Sequence, residues 1–168
     1  QRLNTTCWNG RFYSHFIPED PVPDHIKTDP INSVGLSNTY SINREATTLS
    51  MAASIIRYYI EIGEKTKAAD IAPWYGIYPF IYPHFGNYKV GEYMNGAVLP
   101  LVGGELCKAV FQNGFEKYAV QQLIIKEKIM KLNNGRLPGC ANGDGTAQKE
   151  AIPDEWGVAA FVSAMVEG

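Results

Sequence analysis

With 168 residues, 45% of them hydrophobic and 19% charged, the chain carries enough apolar material for one substantial buried core. Its 17 acidic and 15 basic residues are interspersed, and the formal net charge of −2 excludes the basic footprint that nucleic acid or an anionic membrane requires. No apolar run reaches the roughly 18 to 20 residues that span a bilayer, and Gln1-Arg2-Leu3-Asn4 does not open a signal peptide.

From Cys7 to about Thr39, Pro18, Pro21, Pro23 and Pro30 deny a regular helix its backbone donors, so residues 1–42 read as an extended, loop-rich lead-in. Within it, Arg11 to Ile17 has the composition of a short strand. Helical pattern begins near Asn43 or Arg44. Ala46, Leu49, Ala53, Ile56 and Ile60 recur at three- and four-residue intervals and predict one apolar stripe, with Gly63 as the stop. A second short helix is expected over Lys65 to Ala72, ended by Pro73.

Trp74 to Tyr93 is an irregular stretch crowded with aromatic rings and broken by Gly76, Pro79, Pro83, Gly86 and Gly91. Long loops that pack their own aromatics usually carry function. A helix follows from about Ala97 to Gln112, with Pro100 in its first turn and Asn113-Gly114 as its stop. Phe115 to Leu132 predicts another, and the short connection makes the two antiparallel neighbours. After a Gly- and Asn-rich loop, Asn133 to about Asp154, a last helix starts at Trp156. Its apolar run continues to Val166 with nothing beyond Gly168 to cover it, so the expectation is one unit over 1–168, cut from a longer protein.

Cys7, Cys107 and Cys140 are odd in number and lack metal-ligand spacing, which makes them incidental or buried thiols. Asn4-Thr5-Thr6 matches a glycosylation sequon, a short motif that recurs by chance. Asn142-Gly143-Asp144-Gly145-Thr146 begins like a calcium loop but has no closing glutamate, so a plain turn is expected. No metal or other cofactor is called for.

The segment Gly91-Glu92-Tyr93-Met94-Asn95-Gly96 leads a polar, aromatic loop straight into an apolar helix. Asn95 can pair with sugar hydroxyls, and Tyr93 or Trp74 can lie under a pyranose face, with Tyr75, His84 and Trp156 as further substrate contacts. The plainer alternative is a turn in which Asn95-Gly96 supplies unusual dihedrals and Asn95 caps the helix.

Tyr93-Met94-Asn95-Gly96-Ala97-Val98-Leu99-Pro100, with Gly104 to Ala109 and Asn113-Gly114-Phe115-Glu116-Lys117-Tyr118-Ala119, resembles the aromatic-x-Asn-Gly-x-x-x-Pro helix pair of the six-hairpin glycosidases. Glu155-Trp156-Gly157-Val158-Ala159-Ala160-Phe161 is similar to a helix start near the end of those barrels. The resemblance covers Tyr93 to Gly168, with Ala46 to Pro73 compatible as a preceding hairpin. It implies an (α/α)6 toroid, and since six hairpins need more than about 200 residues, the chain is either the C-terminal half of such a barrel or a smaller helical module that shares the pattern. The expected fold is therefore all-α: helical hairpins of an (α/α) barrel or partial toroid, with long aromatic loops and a short N-terminal β segment.

The activity implied is inverting glycoside hydrolysis, in which one carboxyl protonates the leaving oxygen and another activates water about 6.5 to 9.5 Å away. Glu92, Glu105, Glu150 and Glu155 are the catalytic candidates, with Asp154 beside them. Leu137-Pro138-Gly139-Cys140 stands where some relatives carry a glutamate. Each acid also has a structural alternative as a solvated or helix-N-terminal charge, and Glu105, inside an apolar helix, can instead pair with Arg57 or Lys108. Two other readings stand beside hydrolysis. A sugar epimerase or polysaccharide lyase would use His84, Tyr93 or His15 as base, and a non-catalytic module would bind a glycan or a partner subunit. The expected partners are an oligosaccharide or polysaccharide and the remainder of the barrel or another subunit, with no nucleic acid and no membrane.

Overall fold

A computed structural model describes residues 2–149 and 155–168. The lead-in forms α1 (Arg2–Thr6), a 3-10 turn at Pro30–Asn32, β1 (Val34–Gly35) and α2 (Ser37–Asn43). Then come α3 (Leu49–Thr66), β2 (Ile77–Tyr78), β3 (His84–Phe85), β4 (Tyr88–Lys89), α4 (Pro100–Gln112), α5 (Glu116–Leu132) and α6 (Glu155–Glu167).

The all-α expectation is corrected. The described residues are 47% helical and also hold two antiparallel two-stranded sheets, a mixed though mostly helical architecture rather than a clear helical toroid. The reason lies in the loops. Their prolines and glycines bar helix, yet buried backbone groups still need partners, so the loops pair with one another. Val34 pairs with Tyr78 and Gly35 with Ile77, which ties the lead-in to the aromatic loop; His84–Lys89 and Phe85–Tyr88 form the second sheet. The strand expected over Arg11 to Ile17 is reduced to single bridges, Trp8 to Tyr13 and Ser14 to Val34.

Helix α3 starts later than its periodicity suggested because Thr48, in extended conformation, accepts a hydrogen bond from Met51 N at its side chain and acts as N-cap. Its buried stripe is Ala52, Ile55, Ile56, Tyr59 and Ile62, while Leu49 lies out in solvent. Gly63 does not end it; the helix runs past to Thr66 and takes in the start of the second helix expected there.

Helix α4 is the centre of the fold. It begins at Pro100, where a missing N–H costs nothing, and is buried on several sides, at Val102, Gly103, Leu106, Cys107, Ala109 and Val110. Residues 97–99, expected as its first turn, are instead extended: Val98 exchanges both backbone hydrogen bonds with Ala141, and Leu99 N donates to Trp74 O. Asn113-Gly114 stops the helix as expected, and α5 packs beside it.

Helix α6 runs parallel to α4. Gly104 faces Ala160 and Phe161, Lys108 reaches Ser163 and Glu167, and the Gln112 amide donates to Glu167 O. A Cβ on Gly104 would stand 2.5 Å from the Ala160 Cβ and 2.7 Å from Phe161 N, so only glycine permits this approach. Pro100 and Trp156 each lie one helical turn before that crossing. The two helices therefore start at the same end of the molecule.

Candidate functional site

Asn95 organises the loop that enters α4. It is fully buried; its Oδ1 accepts from Ile81 N at 2.8 Å, and its Nδ2 donates to Ile81 O at 2.9 Å and Tyr88 O at 3.2 Å. Its amide is spent on the backbone, and it does not cap α4, whose N-cap position is held by Leu99. Gly96 supplies the unusual dihedral expected of the pair, with φ +116, and a Cβ there would meet Gly91 N at 2.9 Å.

Pinned this way, residues 89–95 form a tight turn that projects its side chains. Lys89 N donates to Glu92 Oε2 at 2.8 Å, Glu92 N to Lys89 O at 3.0 Å and Asn95 N to Glu92 O at 2.8 Å. Glu92 is exposed, and its Oε1 is not engaged in that turn. Tyr93 holds φ +38, a left-handed conformation that costs a bulky residue about 1–3 kcal/mol and persists only where its surroundings enforce it. The result is a pair of outward rings: Tyr88 and Tyr93 are 40% and 43% exposed, with centroids 5.1 Å apart.

The parallel run of α4 and α6 places a second set of expected residues at the end where α4 begins. Glu155 and Trp156 open α6, and Trp156 is 72% exposed. Glu155 and Trp156 thus stand at the end where α4 begins, and Glu92 and Tyr93 lie in the turn that leads into α4, with Tyr93 O accepting from Ala97 N at 3.0 Å. Glu150 and Asp154 lie outside the described residues.

Other expected contacts turn inward. Trp74 has no exposed surface: its Nε1 donates to Gln122 Oε1 at 2.8 Å, its ring covers Gly103 and its centroid lies 5.4 Å from that of Phe161, so it joins α4, α5 and α6. Tyr75 is buried, and its hydroxyl donates to Asp70; burial, then that bond, push its pKa up. His84 is exposed, with Nδ1 beside Gly86 O. His15 packs edge-on against Phe16 and Phe85, and burial holds its imidazole below the usual range.

Glu105 faces α2. Its Oε2 accepts from Asn43 Nδ2 at 2.6 Å, and Arg44 lies 3.5 Å away, so its ion-pair partner is neither Arg57 nor Lys108; Lys108 bonds Glu167 instead. Its side chain is 16% exposed. Cys107 is buried with its Sγ directed at Ala119 O, and desolvation pushes the thiol up to about 12, a neutral core group rather than a nucleophile. Among the described residues, no cluster of three or more His, Cys, Asp or Glu side chains is set to hold a metal ion.

Two contributors were not singled out from sequence. Tyr88 lay among the loop aromatics without being assigned a role. Gln148 lies 57 residues from Gly91, and only the fold brings them together: its Nε2 donates to Gly91 O at 2.6 Å, and its Oε1 accepts from Tyr93 N at 3.3 Å.

In comparison with known proteins, the chain matches no family model and no curated sequence.

Proposed function

We propose that this protein is carbohydrate-active, binding an oligosaccharide or polysaccharide at the end where α4 and α6 begin. The observation that supports this reading is the set of exposed aromatic rings and carboxylates on the two segments that lead into these parallel helices: Tyr88, Tyr93 and Glu92 before α4, Trp156 and Glu155 at the start of α6. Aromatic faces complement the C–H faces of pyranose rings, and neighbouring carboxylates accept hydrogen bonds from sugar hydroxyls. The sequence motifs at Tyr93 to Pro100 and Glu155 to Phe161, which resemble those of six-hairpin glycosidases, fall on these segments.

The chemistry we assign to it is glycoside hydrolysis with inversion. Glu92 and Glu155 are the pair for this task. One protonates the departing oxygen while the other takes a proton from the attacking water, so the two roles need two separate groups. Glu105 is left out because its carboxylate is engaged by Asn43 and Arg44.

The test is reducing-sugar release from a panel of neutral and acidic polysaccharides, with isothermal titration of cellohexaose and maltohexaose beside it. Binding that Tyr93→Ala weakens, and turnover that Glu92→Gln or Glu155→Gln lowers by about 100-fold or more, is the expected result. Binding without turnover leaves a glycan-binding module. No binding to any saccharide removes the carbohydrate reading.

A further inference from the structure

The backbone on either side of Glu92 is held by a side chain from another part of the chain. Gln148 comes from the loop between α5 and α6, where its own N–H donates to Cys140 O at 3.1 Å. Its amide brackets Glu92, donating to the carbonyl before it and accepting from the amide after it. Only one orientation of the amide satisfies both contacts, since the flipped one would set oxygen against the Gly91 carbonyl and NH2 against the Tyr93 N–H.

The bracket falls where the loop most needs support. Tyr93 carries the left-handed φ of +38, and its N–H is the group Gln148 captures. On the other side of the residue, Ala97 N donates to Tyr93 O at 3.0 Å, so the peptide groups flanking Tyr93 are both tied. Inside the turn, Lys89 N holds one oxygen of Glu92. Among the described residues, the Gln148 contacts are the hydrogen bonds that engage Gly91 O and Tyr93 N.

We infer that Gln148 is a positioning residue for the saccharide face: it fixes the presentation of Glu92 and Tyr93 and makes that presentation depend on the loop between α5 and α6. The purpose rests on the carbohydrate reading above. The geometry does not. Gln148 touches no substrate in this scheme and acts through the two residues it brackets. Because the loop that carries Gln148 also pairs Ala141 with Val98, a shift of that loop moves the entry to α4 and the Glu92 turn together.

Amide exchange and chemical shift in 15N-labelled protein test the bracket directly, with cellohexaose and maltohexaose as the saccharide probes. In Gln148→Ala the Tyr93 amide exchanges about tenfold faster or more and moves upfield, amides of α4 stay protected, and affinity for the hexasaccharide that the native protein binds falls about tenfold. Gln148→Glu can serve both contacts only when protonated, O–H to Gly91 O and C=O to the Tyr93 N–H, so it restores the Tyr93 amide shift in acid below about pH 4, whereas the carboxylate sets an oxygen against the Gly91 carbonyl and does not. That rescue separates positioning from a general loss of fold. An unchanged Tyr93 amide in Gln148→Ala overturns the bracket, and a changed amide with unchanged saccharide affinity overturns the positioning role. If neither hexasaccharide nor any polysaccharide binds the native protein, the carbohydrate reading fails while the amide measurement still decides the bracket.

Discussion

The buried side chain of Asn95 closes a two-point amide pair with the backbone of Ile81, accepting at 2.8 Å and donating at 2.9 Å across 14 residues of chain. It is the same pairing that two strands would make, supplied here by one side chain where the prolines and glycines of the aromatic loop prevent a ladder.

Removing it strands two backbone groups. Asn95→Ala leaves Ile81 N–H and C=O without this partner in a buried site, and each uncompensated group costs about 1–3 kcal/mol. The expected loss is about 3 kcal/mol in urea unfolding, with the Tyr88–Tyr93 pair released as well. A variant within 0.5 kcal/mol of the native protein, to take a rough threshold for a neutral substitution, would show that Asn95 is not the pin.

Gly104 tests the α4–α6 packing. The Cβ of Gly104→Ala runs into backbone and Cβ atoms of Ala160 and Phe161, none of which can swing aside, so the helices must separate. Destabilisation of about 2 kcal/mol or more is expected from denaturant melts. Gly114→Ala, at the open turn after α4 with φ +79, meets no atom within 4 Å and should cost about 1 kcal/mol through backbone conformation alone. Reversal of that order would count against a close parallel approach.

Glu105 separates structural from catalytic acids. Glu105→Ala leaves the Asn43 amide with one fewer acceptor, and a loss of about 1–3 kcal/mol in stability is expected with saccharide binding and turnover unaffected. Turnover lost at full stability would return Glu105 to the catalytic set.

The tie between α4 and α6 is pH-dependent with a definite sign. Lys108, through its hydrogen bond first and its charge second, holds Glu167 below the ordinary carboxyl value of 4.5. A depressed folded pKa contributes stability above the unfolded value and loses it as pH falls through the folded one. The melting-temperature advantage of native protein over Glu167→Gln should therefore be full at neutral pH, shrink below about 4.5 and vanish in stronger acid. An advantage that grows with acid contradicts the tie.

Much of the helical framework was legible. Pro100 inside a first turn and Asn113-Gly114 after a last one mark α4, and the continuous apolar run of Trp156 to Val166 marks α6 to within a residue. Less of α3 was readable, because its apolar residues allow more than one stripe and the choice fell to Thr48, whose cap sets the start, and to the surroundings that bury Tyr59 and leave Leu49 out. The fold class was misread for a related reason. Residues such as Val34 and Ile77 have no strand-length pattern of their own and become strands only against each other.

The candidate site divides along the same line. From composition and spacing alone, the chain determines an aromatic loop, a sharp Asn95-Gly96 turn, a helix that carries Pro100 in its first turn and another that starts near Trp156, since these depend on backbone chemistry within a few residues. Tertiary structure alone decided which aromatics face out, because Trp74 and Tyr88 are alike as exposed-platform candidates until one is packed on Gly103 and Phe161 and the other is left beside Tyr93. It also decided that Glu105 pairs with α2 and that Gln148 brackets the Glu92 turn. Each of these depends on contacts between segments far apart in the chain, and their geometry is set by how the helices close on α4.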